Sequence, residues 1–422
     1  MLIHVIQSGE NLWLLSRRYG VSIDEIVAAN ELPDANRLTV GQALVIPLPS
    51  RHIVRPGDNL WQIARLYGTT VQALQQINRI PNPYMIQPGQ VIQIPAKRKP
   101  TIDVNAFTIQ FDEAGAQEVR DIGRHLTYLT PFGYRIQRDG SLEAVNDTLL
   151  IQAAEQTQVV PIMAITNFSA TELGSEVAHI ILSSTELQDK LLTNIIDTMR
   201  SKKYQGLNVD FENVRPADRE LYNQFLRRAV ERLHAEHYFV STSVAPKTSK
   251  EQKGLLYEAH DYEAQGEIVD FIVLMTYEWG YRFGPPQAIS PIDQIRAVLN
   301  YATRVIPSHK LLMGFQLYAR DWLLPHVQGQ EAETFSVQEA FRRAVQHGAA
   351  IQYDAQTQSP YFRYTDEQGR NHEVWFEDAR SAQAKFNLVK TYNLKGISYW
   401  VLGYPFPQNW LLLEDNFRVR KL

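Results

Sequence analysis

Two hydrophobic rhythms alternate along most of this chain. The plainest stretch runs from Tyr204 to Asn213, where Leu207, Val209 and Phe211 fall on one parity and Asn208, Asp210 and Glu212 on the other. A period of two means a strand, with the two sets on opposite faces. One face packs on helices. The other lines up an amide and two carboxylates, a row that is costly to bury unless something pairs or uses it. A half-exposed edge strand is the alternative. The flanking chain argues against it, because strands set between helices are covered on both faces.

Further strand patterns occur at Val104–Ile109, Thr127–Tyr134, Val159–Thr166, Phe239–Ala245, Phe271–Tyr277, Leu311–Tyr318 and Gly396–Val401; with Gly206–Phe211 they make eight. Helical spacing fills the gaps at Ala114–His125, Asp147–Gln156, Ser184–Lys203, Ala217–Glu236, Glu251–Ala264, Pro291–Ile306 and Asp378–Tyr392. Strand–helix alternation implies a parallel sheet, so residues 101–422 predict an α/β fold, a (β/α)8 TIM barrel. The stretch Trp322–Trp375 is too long for a loop. It contains short strand patterns at Ile351–Tyr353, Tyr361–Thr365 and His372–Phe376 around a turn at Asp366–Gly369, and predicts a small α+β insertion over about residues 322–376.

In such barrels chemistry sits at the C-terminal strand ends. There fall Asn167 after strand three, Asp210 and Glu212 after four, Met275, Tyr277 and Glu278 after six, Gln316 and Tyr318 after seven, and Trp400 after eight. Acids beside exposed aromatics suit a sugar cleft: rings stack on pyranose faces, and a carboxylic acid protonates the glycosidic oxygen.

The first hundred residues repeat. At a shift of 48 and without a gap, Gly9 answers to Gly57, Asn11-Leu12-Trp13 to Asn59-Leu60-Trp61, Tyr19-Gly20 to Tyr67-Gly68, Asn30 to Asn78, Pro33 to Pro81, and Gly41-Gln42 to Gly89-Gln90. Each copy reads as a strand (His4–Gln7; His52–Arg55), two helices and a closing strand (Ala43–Pro47; Val91–Pro95). Gly20 is placed as a C-cap, and Ser22 and Thr70 as N-caps of the second helix. The units span 2–48 and 51–96. Trp13 and Trp61 are expected in their cores. Lys97-Arg98-Lys99-Pro100, residues 97–100, reads as a solvated linker.

Composition narrows the classes. The chain has 422 residues, 44% hydrophobic and 21% charged, which is globular and large enough for several domains. A net charge of −4 argues against nucleic acid held on a basic face. The absence of cysteine excludes disulfides, thiolate metal sites and a Cys nucleophile. His4, His52, His234 and His237 form no cluster with acids at metal spacing, and the last two read as solvent-facing. No metal or cofactor is expected. No apolar run reaches the length of a membrane span, and no Sec-type signal peptide is legible at the start. The expected partner is a glycan, with no nucleic acid or membrane, and the expected state is a monomer.

The repeated units resemble LysM modules, on [IV]-x-x-G-[ED]-N-L-W, Y-G-[VT]-[ST], N-x-[LI]-P and G-Q-x-[LI]-x-I-P. That resemblance implies binding of N-acetylglucosamine-containing glycans such as peptidoglycan and chitin. The implied groove lies between the loop after the first strand and the loop after the second helix. Its candidate residues are Gly9, Asn11, Asn30 and Leu32 in module 1, and Gly57, Asn59, Asn78 and Ile80 in module 2.

Residues 101–422 resemble glycoside hydrolase family 18. The resemblance rests on Gln205-Gly206-Leu207-Asn208-Val209-Asp210-Phe211-Glu212, with support from Met275-Thr276-Tyr277, Gly314–Arg320 and Trp400. It implies a substrate-assisted, retaining mechanism. Glu212 is the general acid and then base, Asp210 orients the substrate's N-acetyl group, and Tyr277 hydrogen-bonds its carbonyl. Trp400 floors the subsite, with Met275, Tyr318, Gln316, Asn167 and Asn208 as further substrate-binding candidates. Gln205 and Asn208 replace aspartates of the usual pattern, and Glu278 stands where an aspartate often follows the tyrosine. Asn208 is expected to donate to Asp210 and favour its ionised form. Paired LysM modules, this Asn and no legible signal together resemble the spore-cortex-lytic N-acetylglucosaminidases of endospore-forming bacteria. That implies a spore location in the coat or cortex region, or otherwise the cell wall. A chitinase, or an inactive glycan-binding protein, is the alternative.

Overall fold

The computed structural model describes residues 1–168 and 173–422. Its N-terminal part is two βααβ units. In module 1, Leu2–Val5 pairs antiparallel with Ala43–Ile46, and in module 2 Arg51–Ile53 pairs with Val91–Gln93. The helices Leu12–Tyr19 and Leu60–Tyr67 start at Asn11 and Asn59, whose side chains accept from Leu14 N–H and Gln62 N–H. Ser22 and Glu25 form a reciprocal cap on Ile23–Asn30, and Thr70 caps Val71–Asn78. Leu12 and Leu15 point inward. Trp13 therefore lies about 100° round the helix and is 60% exposed; Trp61 is 45% exposed and packs its ring on Tyr84 at 5.1 Å. Both tryptophans were expected in the core and are surface residues.

Eight parallel strands form the closed barrel of a TIM fold: β1 Thr101–Thr108, β2 Tyr128–Pro131, β3 Val160–Thr166, β4 Gly206–Asp210, β5 Phe239–Val244, β6 Phe271–Leu274, β7 Leu311–Gln316 and β8 Gly396–Trp400. Pairing of β8 with β1 closes it, Gly396 facing Asp103 and Tyr399 facing Ala106. The bottom of β4 lies level with β3 and β5, Gly206 being opposite both Ile162 and Phe239. A Cβ at Gly206 would meet the Phe239 ring at 2.1 Å, so glycine leaves room for that ring over the start of the strand.

Several elements depart from expectation. β7 stops at Gln316, and Tyr318–Leu324 enters a separate sheet. The insertion thus begins at Tyr318. It is a five-stranded antiparallel sheet carrying the helix Val337–Gln346. Of the expected helix Glu251–Ala264, only Tyr262–Ile268 forms, and Gly254 at φ +128° belongs to the turns before it. Helices Gly174–Leu182 and Pro407–Asn416 were not foreseen. The linker is not a free spacer: Lys97 pairs with Asp415 at 2.7 Å and Lys99 donates to the Glu414 carbonyl.

Module 1 is fastened to the barrel. Ile351 N–H donates to the Val40 carbonyl at 2.9 Å, Thr39 Oγ1 to Ala349 O at 2.8 Å, and Gln408 Nε2 to Asn30 Oδ1 at 2.6 Å. Gly41, at φ +84°, sits so close that a Cβ would fall 1.8 Å from the Ile351 carbonyl oxygen. The obstacle is backbone and cannot swing aside, and left-handed φ adds about 1–2 kcal/mol for a residue with a side chain. Gly41→Val is therefore expected to undock module 1, enlarging the radius of gyration in small-angle scattering and lowering Tm. An unchanged scattering profile would contradict this.

Candidate active site

Strand β4 turns Asn208 and Asp210 toward the barrel axis, and Glu212 follows at the mouth. Asn208 does not reach Asp210 by a hydrogen bond. Its Nδ2 donates to Ser241 Oγ at 3.0 Å and its Oδ1 accepts from Ser243 Oγ at 3.1 Å, tying β4 to β5. The expected support for ionised Asp210 is therefore missing. Asp210 is buried, its Oδ1 has no hydrogen-bond partner, and burial followed by the charge of Glu212 pushes its carboxyl well above the usual range. Gln205 lies at the opposite end of the strand, exposed, bonded to Lys203 O.

Glu212 is held through its backbone from two sides. Asn167 Oδ1 accepts from Glu212 N–H at 2.8 Å, while its Nδ2 donates to Glu212 O at 2.7 Å and to Gly174 O at 3.0 Å. Asn167 was expected to bind substrate; its amide is spent on this clamp. On the other side His260 bridges Ala245 N–H and the Phe211 carbonyl, each at 2.9 Å. Burial lowers that imidazole to about 4, so it stays neutral with Nδ1 accepting and Nε2 donating. Solvent reaches Glu212 through the cleft, yet the walls strip most of its hydration. That desolvation, then the charge of Glu278, raises its carboxyl.

The cavity here measures about 210 Å3 and is lined by Asp210, Glu212, Met275, Tyr277, Glu278 and Trp400, with Phe107 and Ser243. Tyr277 and Trp400 lie near-parallel, 6.5 Å apart at 14°. Phe107 and Phe132 brace Trp400 edge-on. Burial and the neighbouring acids push the Tyr277 hydroxyl well up, so it remains a donor. Glu278 is held at φ +72°, uncommon outside glycine. Arg320 pairs with it at 2.8 and 3.0 Å, and the Tyr318 hydroxyl donates to it. Gln316 and Tyr318 are not on the cavity wall. Gln316 donates to Glu377 at 2.8 Å, and Glu377 pairs with Lys385 at 2.8 Å. Among the described residues, no group of three or more His, Cys, Asp or Glu could hold a metal.

The module candidates serve the modules' own folds. Asn11 and Asn59 cap helices. Asn30 bridges Ile26 O to both backbone groups of Val45, and Asn78 does the same between Leu74 O and Gln93. Gly9 and Gly57 make turns at φ +81° and +91°. Ile80 is a core residue and Leu32 packs against the core. The side chains reach inward because a module this small has few other groups to satisfy its buried backbone.

Asp210 gives a pH prediction. An unfolded aspartate loses its proton near pH 3.9, whereas folded Asp210 keeps it to higher pH. The folded state then binds more protons, so this group's contribution to stability falls as pH rises from the unfolded pKa. Asp210→Asn is expected to raise Tm relative to the parent at pH 7–8, the gain vanishing toward pH 3. A gain that grows on acidification would refute the assignment.

A closed parallel barrel with paired acids and an aromatic floor at its C-terminal mouth defines a barrel glycoside hydrolase. The model of glycosyl hydrolases family 18 matches residues 173–404, more than half of the chain, and that of the LysM domain matches 4–47 and 52–95. The chain belongs to glycosyl hydrolases family 18 and carries two LysM domains. It is 52% identical to the cortical fragment-lytic enzyme of Bacillus subtilis (strain 168), covering 100% of this chain and 99% of that protein. The crystal structure of the Bacillus megaterium QM B1551 spore cortex-lytic enzyme SleL superposes with a TM-score of 0.90 at 41% identity, over 100% of this chain and 99% of that one. A Chromobacterium violaceum chitinase shares the fold, with a TM-score of 0.69 at 24% identity over 74% of this chain and 98% of that one. Among the described residues, no helix is long and apolar enough to cross a membrane.

Proposed function

We propose that the protein hydrolyses β-1,4 bonds after N-acetylglucosamine in spore cortex peptidoglycan, with retention of configuration. The observation that carries this is the Asp210 Oδ1, buried at the cavity floor beside Glu212 without a donor. An incoming acetamide N–H supplies one. Held there, with its oxygen toward the Tyr277 hydroxyl, the acetamide attacks the anomeric carbon while Glu212 gives its proton to the leaving oxygen. Glu212 then takes a proton from water, which opens the oxazolinium intermediate. The substrate is its own nucleophile, as in the known exceptions to the two-carboxylate scheme. The raised Glu212 carboxyl suits a group that must be protonated before it acts. Likeness over the full chain to a cortical fragment-lytic enzyme supports cortex glycan as substrate and a spore location. The LysM modules hold the glycan, and the protein works as a monomer.

Digestion of cortex fragments, vegetative peptidoglycan and chitin oligomers, with mass spectrometry of the new reducing ends, tests the reading. Reducing-end N-acetylglucosamine from cortex, formed first as the β-anomer by NMR, is expected. Reducing-end muramic acid, or cleavage of chitin alone, would sink it.

A further inference from the structure

The second-helix loop of module 1 faces the insertion of the catalytic domain across a groove. Leu32, Pro33 and Arg37 form one wall of a groove of about 640 Å3, and Phe341, Val345 and Gln346 of the insertion helix form the other. Its volume lies within the range of about 300–1,000 Å3 typical of ligand sites. The walls cannot drift apart easily. Gln338 Nε2 donates to the Asn30 carbonyl at 3.2 Å beside the groove, and the Gln408 and Ile351 bonds lock the same module from below. The other candidate loop of the module is engaged internally, Glu10 pairing with His4 and Arg18 at 2.7 Å each.

The lining mixes apolar and charged side chains. Leu32, Pro33, Phe341 and Val345 supply the first, Arg37, Glu31, Asp34 and the paired Arg342 and Glu339 the second. Such a surface suits a pyranose, which has an apolar face and polar groups around its edge. We propose that this groove is a glycan-binding site shared by the two domains, taking a β-1,4-linked N-acetylated amino-sugar strand. Module 1 then grips sugar only with a helix of the catalytic domain. The proposal rests on reading the modules as glycan binders.

The test uses the full chain in a Glu212→Gln background, so that ligand is not consumed, with penta-N-acetylchitopentaose titrated by calorimetry. The cleft is unaltered in every variant, so differences report on the modules. Val345→Glu and Gln346→Trp on the helix, the second simply filling the groove, are each expected to weaken the non-cleft site about tenfold or more, as Pro33→Glu in the module does. Combining Pro33→Glu with Gln346→Trp is expected to cost little beyond either alone, because both remove one site. If Pro33→Glu weakens binding and neither helix variant does, module 1 binds alone and the shared site is wrong while glycan binding stands. If only the matching module 2 change, Pro81→Glu, weakens binding, the shared site is again wrong. If no module variant has an effect, the reading of the modules as binders fails as well.

Discussion

Glu212→Gln is expected to lower kcat on cortex fragments by about 10²–10⁴-fold, the usual contribution of a positioned acid–base group. That corresponds to about 3–6 kcal/mol in the barrier, at about 1.4 kcal/mol for each factor of ten. The amide keeps the shape of the carboxyl but has no proton to give. Its backbone remains clamped by Asn167 and His260, so the fold and KM should change little. Steady-state rates on soluble fragments decide the matter. A variant within tenfold of the parent would remove Glu212 from the proton transfer.

The second large effect is on stability. Lys385 and Glu377 are fully buried, paired at 2.8 Å, and Gln316 donates to the same carboxylate. Glu377→Ala strands an ammonium group inside the barrel wall. Breaking a buried pair from one side costs about 3–5 kcal/mol, although replacing both partners by apolar groups is often neutral. Denaturant unfolding should show that loss for Glu377→Ala and much less for Glu377→Leu combined with Lys385→Met. A single-variant loss below about 1 kcal/mol, the range of an exposed pair, would mean that water or a rearranged neighbour takes over the charge.

The sequence exposed what depends on local period. The alternation from Leu207 to Glu212 reports a strand whatever surrounds it, so the barrel, and the place of Asp210 and Glu212 at its mouth, were legible. Contacts made across register were not. Asn208 turns to Ser241 and Ser243 because β4 and β5 align Asn208 with Ser241, an alignment no one-dimensional pattern encodes. Asn167 and His260 reach the Glu212 turn from 45 and 49 residues away. Phe107 could have been found, since it sits near the end of the first strand pattern as Asp210 does in the fourth. Trp13 and Trp61 were misplaced for a different reason: they were assigned to the inward side of the helix, which Leu12 and Leu15, and Leu60, Ile63 and Ala64, occupy instead.

The docking of module 1 has one more consequence. Bonds from Val40, Thr39 and Asn30 leave it no free tether to the barrel. A module on a loose tether would let the cleft wander along a strand and cut at many places around its anchor. Module 1 turns with the barrel instead, so whatever it meets stands at one fixed distance and direction from the Glu212 mouth.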